Sequence, residues 1–162
     1  MAPWRDRWLP DSMHGAREDH ETADVSLEHS LNMQLAVAKG IPKAAISLDW
    51  AKFFDSLERD VGNELMQEMM TDDSEALLVV EAEWEFTEQA QTRFKVGRAV
   101  SAESQTRANG FLQGPNYSIQ IAQMFMAVWT KAVEAETNNK TAGFIDDSSV
   151  RSNGVETEEE AV

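Results

Sequence analysis

The amino-acid sequence predicts an α+β fold: a small antiparallel sheet with helices packed on one face. Three observations lead there. Apolar residues recur at helical spacing over 22–40 and 57–69, and the stretch 117–133 is apolar on most sides. A short, mostly apolar run at 44–48 has the length of a strand, and 143–145 and 148–150 flank an Asp-Asp pair as two short strands would flank a tight turn. Their order along the chain is helix, strand, helix, strands, helix, hairpin.

Each element follows from its own residues. Residues 1–20, with Pro3, Pro10 and Gly15, read as an irregular segment. From Thr22, Leu27, Leu31 and Leu35 recur every four residues, Asp24 can cap, and Gly40 with Pro42 closes the segment, which predicts a helix. The run 44–48 predicts a buried strand ending at Asp49. A second helix presents Leu57, Val61, Leu65 and Met69 on one face beside Glu58, Glu64 and Glu68, and 71–74 breaks it. Between 78 and 86 the apolar residues Leu78, Val80, Ala82, Trp84 and Phe86 alternate with others at the strand period. Glu and Ala are poor strand formers, however, so a helix stays open there. The segment 94–100, broken by Gly97, reads as a strand or hairpin, and 117–133 as the central buried helix. Gly143-Phe144-Ile145, Asp146-Asp147 and Ser148-Ser149-Val150 read as strand, tight turn, strand. The folded body therefore spans 21–152, followed by an acidic tail over 153–162.

Composition narrows the function classes. The 162 residues contain no cysteine, which excludes disulfides, thiolate zinc sites and thiol nucleophiles and fits a reducing, intracellular compartment. Apolar runs such as 121–122 and 124–129 fall well short of the roughly 18 residues of a membrane span, so no membrane partner is expected. Trp4, Arg5, Asp6 and Arg7 interrupt any secretory segment. The triplets Asn116-Tyr117-Ser118 and Asn139-Lys140-Thr141 are then accidental matches to a glycosylation signal. His14, His20 and His29 have no partners at ligand spacing and read as incidental. The net charge of −15 argues against a grip on nucleic acid, which wants lysine and arginine. Yet that charge is regional: 58–88 carries eleven acidic residues against Arg59 alone, and 156–160 adds four more. A basic stretch, Arg93, Lys95, Arg98 and Arg107, lies between them.

Two adjacent aspartate pairs occur. Asp72-Asp73, between Thr71 and Ser74, suits a solvated turn. Asp146-Asp147 instead sits at the tip of a hairpin otherwise suited to burial, and Asp49 shares that situation at a strand end. Acids at neighbouring strand ends repel unless a cation lies between them. Oxygen donors of this kind suit Mg²⁺, and two such ions can activate an attacking oxygen and stabilise a leaving one in phosphoryl transfer. The alternative is a pair of aspartates that merely favours the turn. Further along, Asn109-Gly110 and Gln113-Gly114-Pro115 open the central helix, where free N–H groups and glycine allow close approach of a phosphate or base. A plain turn with Pro115 at the first helical position is the other reading.

Taken in order, these segments resemble the palm of reverse transcriptases, especially the non-LTR retrotransposon and group II intron kind. Leu48-Asp49-Trp50-Ala51-Lys52-Phe53-Phe54-Asp55 is similar to the family's first metal-binding motif. Asn109-Gly110-Phe111-Leu112-Gln113-Gly114-Pro115-Asn116-Tyr117-Ser118 is similar to its template and nucleotide motif. Phe144-Ile145-Asp146-Asp147 matches its hairpin motif, and Gly15-Ala16-Arg17 with Thr22-Ala23-Asp24 is a weaker echo of the fingers. The resemblance runs from about residue 13 to 150 and implies that 21–152 is a partial fingers and palm. It implies two Mg²⁺ ions held by Asp49, Asp146 and Asp147, with the Trp50 carbonyl as a further ligand. It places Phe54 as a gate against the ribose 2′-hydroxyl, Gln113 and Gly114 against the base pair and template, and Arg17 near the triphosphate. Lys52 and Asp55 match the pattern in structural roles. Phe53 stands where the family has alanine, and Pro115-Asn116-Tyr117 replaces its usual small residue and Pro-Leu. The implied activity is RNA-directed DNA synthesis from deoxynucleotides on an RNA template with a DNA primer. The later palm motifs, primer grip and thumb have no counterpart in these residues, so the expectation is a truncated domain, inactive alone. The competing expectation is a non-catalytic or domesticated palm that binds partners.

Overall fold

The computed structural model of the chain describes residues 7–70, 74–106, 109–111 and 116–153. They fall into two units: one takes the described residues up to Ala51 and from Ala122 onward, the other those from Lys52 to Ile121.

The first unit is built on a three-stranded antiparallel sheet in the order β1-β7-β6, with β1 Ala45–Asp49, β6 Asn139–Phe144 and β7 Asp147–Ser152. The turn between β6 and β7 is Ile145-Asp146, so Asp147 is a strand residue and not part of the turn tip that the sequence suggests. β1 is an edge strand with Ile46 exposed, where the apolar run 44–48 predicts burial. Among the described residues, β7 is the one strand that pairs with it. Helix α1, Thr22–Lys39, is closed by Gly40 in the left-handed conformation (φ 67°), with a reciprocal cap between Glu21 and Asp24. The Leu27, Leu31 and Leu35 stripe that announces this helix is more than half exposed. The inward column lies one residue along, at Glu28, Asn32 and Ala36, and Ala36 is buried. From α1, Glu28 reaches Arg151 of β7 and forms an ion pair with it.

Helix α5, Asn116–Glu136, is the buried helix that its composition predicts, with Ile121, Ala122, Met124, Met126 and Ala127 all excluded from solvent. Within the first unit two of its side chains tie it to the sheet and to the residue that follows β1. Trp129 stacks edge-on against Trp50, ring centroids 5.6 Å apart, and Glu134 accepts hydrogen bonds from the Thr141 N–H and hydroxyl at 2.9 and 3.0 Å. The irregular segment before α1 adds to the open edge of β6. Met13 bridges Gly143, the His14 N–H donates to the Gly143 carbonyl at 2.8 Å, and the Gly143 N–H donates to the Ser12 carbonyl at 3.0 Å. Trp8, Leu9 and Met13 are buried there.

The second unit contains α2 Phe53–Ser56, α3 Arg59–Met69 and α4 Ser74–Gln89. Helix α4 replaces the strand suggested by the alternation at 78–86. Val80, Trp84 and Thr87 turn inward at the i, i+4, i+7 spacing of a helix, and Leu78 and Phe86 of the alternating set are exposed. Abundant Glu and Ala tip the choice toward helix. In α3 the buried positions are Arg59, Gly62 and Met66, again one step from the Val61 and Leu65 stripe. Beyond α4 lie two two-stranded ladders. β3 Lys95–Val96 and β4 Ala99–Val100 form the hairpin around Gly97 (φ 60°), and β2 Gln91–Thr92 pairs with β5 Gln105–Thr106.

Candidate metal centre at the hairpin

Five consecutive pairings set the register of β1 against β7, and the last of them is Asp49 opposite Asp147. Directly opposed residues of an antiparallel pair hold their Cβ atoms about 4.5–5.5 Å apart on one face of the sheet. Asp146 immediately precedes, in the turn. Asp49 and Asp147 are exposed and Asp146 is half-buried. Among the described residues no salt bridge joins any of the three carboxylates to a basic side chain. Like charges opposed in this way are destabilising unless something cationic lies between them. The donor set is all hard oxygen and open to solvent, which fits Mg²⁺.

Several contacts hold these strand ends. On the face opposite Asp49, the Trp50 indole N–H donates to Ser148 Oγ at 2.9 Å, fixing the end of β1 to the start of β7. Ile145 adopts φ 57°, a left-handed conformation that a β-branched residue rarely takes. Gly15 lies behind it: a Cβ at residue 15 would come within 2.5 Å of the Ile145 nitrogen and 2.7 Å of its Cγ1. The Gly15 carbonyl in turn accepts a hydrogen bond from Nε2 of Gln123, a fully buried residue of α5. Neither Gln123 nor Met13 belongs to a motif; an amide between Ala122 and Met124 in an apolar helix is the signal the sequence holds for the first.

Arg17 is committed to its own loop, donating to the Leu9 and Pro10 carbonyls at 2.9 and 3.0 Å and lying 3.7 Å from Asp11. Two carboxylates behind the sheet titrate low. Burial raises the pKa of Glu28, but its bond and attraction to Arg151, with His14 adding to them, outweigh that and hold it below its ordinary 4.5. Burial likewise raises Glu134, and the two bonds from Thr141 with Lys140 nearby outweigh it.

In the second unit, Phe54 is half-buried with its ring edge-on to that of Phe53, centroids 5.5 Å apart. Phe53, where the resemblance expects alanine, is buried. Gln113 and Gly114 lie outside the described residues, as do Asp72-Asp73, Arg107 and the acidic tail beyond Asn153. The entry to that motif is anchored, however. The Phe111 N–H donates to the Phe54 carbonyl at 2.8 Å, and the Gly110 N–H to that of Leu57 at 3.1 Å. Gly110 has φ 79°, and a Cβ there would come within 2.6 Å of the Asp55 backbone, so only glycine fits. Arg59 secures the arrangement, its Nε donating to the Gly110 carbonyl at 2.9 Å and its guanidinium meeting Glu88 of α4 at 3.0 Å.

One further group came together unannounced. His14 and His20, incidental by sequence spacing, meet with their Nδ1 atoms 2.8 Å apart.

No family model matches the chain, and no curated protein does. Among solved structures, the chain is similar to an apo telomerase from Candida tropicalis truncated from the C-terminal domain, with a TM-score of 0.59 and 15% identity. The match covers 87% of this chain and 30% of that one, so the chain spans under a third of the telomerase it resembles in fold. No helix among the described residues is long and apolar enough to cross a membrane.

Proposed function

We propose that this chain is the palm, with part of the fingers, of a reverse-transcriptase-type polymerase, and that Asp49, Asp146 and Asp147 are its metal ligands. The observation that carries the reading is the register: two of the three motif aspartates stand opposite each other on neighbouring strands, and the third adjoins them in the turn. The fold likeness to a telomerase supports the same reading from outside the sequence. Two Mg²⁺ ions at such a site supply activation of a primer 3′-hydroxyl and stabilisation of the leaving pyrophosphate. The chain's own residues set the stage. Asp49 and Asp147 provide opposed carboxylates, the Trp50–Ser148 bond keeps the strand ends in register, and the Gly15–Ile145 contact backs the turn that presents Asp146. Phe54 is the proposed gate that favours deoxynucleotides. Gln113 and Gly114 are the proposed contacts to base and template. RNA template, DNA primer and deoxynucleotides are the proposed partners, and a non-LTR retrotransposon or group II intron element the proposed origin.

The test is deoxynucleotide incorporation into a DNA primer on an RNA template at low salt, with and without Mg²⁺, alongside Asp49→Asn and Asp146→Asn. The chain alone is expected to incorporate weakly at most, and any Mg²⁺-dependent incorporation it shows is removed by either substitution. Equal incorporation by variants and wild type contradicts the reading. No incorporation by any of them supports the other reading, a palm-like domain that binds without catalysing.

A further inference from the structure

Away from the hairpin aspartates, three residues to which no motif assigns a ligand role converge at the start of α1. Among the described residues they form the group of three whose candidate ligand atoms, on His14, His20 and Asp24, all lie within 4.8 Å of one another. Two successive turns bring them there: the Arg17 N–H donates to the His14 carbonyl and the His20 N–H to that of Arg17. Ala16 and Asp19 take positive φ within this loop, 55° and 59°. Asp24 Oδ2 accepts from the Glu21 N–H at 2.6 Å, and among the described residues its other oxygen has no hydrogen-bond partner. His14 is 9% exposed, and its Nε2 lies 3.4 Å from Oε2 of Glu28. That carboxylate favours a proton on Nε2, which leaves the Nδ1 lone pair of His14 directed at His20. Without a metal, His20 must donate its own Nδ1 proton into that 2.8 Å contact.

We propose that His14 Nδ1, His20 Nδ1 and the free oxygen of Asp24 bind one Zn²⁺ ion. Two imidazoles and a carboxylate are a nitrogen-rich, borderline donor set of the kind zinc takes, whereas Mg²⁺ prefers oxygen alone. Tetrahedral bonds of about 2.1 Å separate two ligand atoms by about 3.4 Å, so the histidines need open only slightly. On binding, the His20 proton moves from Nδ1 to Nε2, both imidazoles stay neutral, and water completes the fourth position. Glu28 becomes the outer carboxylate that orients His14, and Arg151 behind it carries the link to β7. The ion thus staples the 12–15 segment, which backs the hairpin, to the first turn of α1.

The experiment is calorimetric titration of the whole chain with ZnCl₂ in the presence of excess Mg²⁺, together with ¹⁵N spectra of the imidazoles. The expected result is one Zn²⁺ per chain, a rise in Tm, and a change of His20 from the Nδ1–H to the Nε2–H tautomer. Glu28→Gln weakens binding about 10–100-fold. His20→Gln and Asp24→Asn weaken it further, and Asp24→Asn keeps its amide oxygen for the helix cap, so loss of binding there is not loss of fold. No Zn²⁺ bound by the wild type, or an affinity and tautomer pattern unchanged in His20→Gln and Asp24→Asn, overturns the proposal. The outcome is independent of primer extension, since none of the hairpin aspartates is a ligand here.

Discussion

Asp49 and Asp147 bring like charges face to face at the end of a sheet whose other members are mostly small or apolar. Such a pair costs the metal-free fold about 0.2–1 kcal/mol. Asp147→Asn is therefore expected to raise the urea midpoint of the metal-free chain while removing divalent-ion binding. A fall in both would show that the aspartate serves the fold instead. At residue 15 the lack of a side chain is what lets the backbone pack against Ile145. Gly15→Ala pushes a methyl group against the Ile145 backbone, with an expected loss of about 1–3 kcal/mol in chemical denaturation. The hairpin and its acids were legible because Phe144-Ile145 precede the acids and Val150 follows them after two serines. The backing was illegible because Met13, His14 and Gly15 follow no period, and only the fold puts them beside Gly143 and Ile145.

Among the elements, the helices show what periodicity can and cannot carry. The leucine stripes of α1 and α3 announce helices correctly, but the buried columns lie one residue along, at Ala36 and at Gly62 and Met66. Amphipathic spacing gives the period, and the side that faces inward depends on which neighbours arrive. At 78–86 two periods coincide for a few residues, and helix propensity decides between them. Between elements, Arg59 joins α3 to α4 and to the Gly110 loop. Arg59→Ala leaves the Gly110 carbonyl without its donor, with an expected cost of about 1–3 kcal/mol by urea unfolding. The ties of α1 and α5 to the sheet are acid-sensitive. Glu28 and Glu134 have folded pKa values below 4.5, so their contribution is present in full above that value and is lost as pH falls through the lowered ones. Stability should therefore decline below about pH 4.5, and Glu28→Gln should flatten that decline in a pH series of unfolding midpoints.

For the molecule as a whole, the charge distribution and the division into units coincide. The acidic run at 58–88 lies entirely in the unit from Lys52 to Ile121, and the three motif aspartates in the other. The overall −15 is thus no argument about the hairpin site, whose own charge is what calls for a cation. The α+β class was legible from element order, whereas the division into two units was not, because α5 contributes residues to both. The central claim is that Asp49, Asp146 and Asp147 hold divalent ions, and the direct measurement is Mn²⁺ titration followed by NMR as a substitute for Mg²⁺. Selective broadening of the amide signals of residues 49, 146 and 147 is expected in the wild type and should vanish in Asp49→Asn/Asp147→Asn. Broadening that is absent from these residues, or unchanged in the double variant, would contradict it.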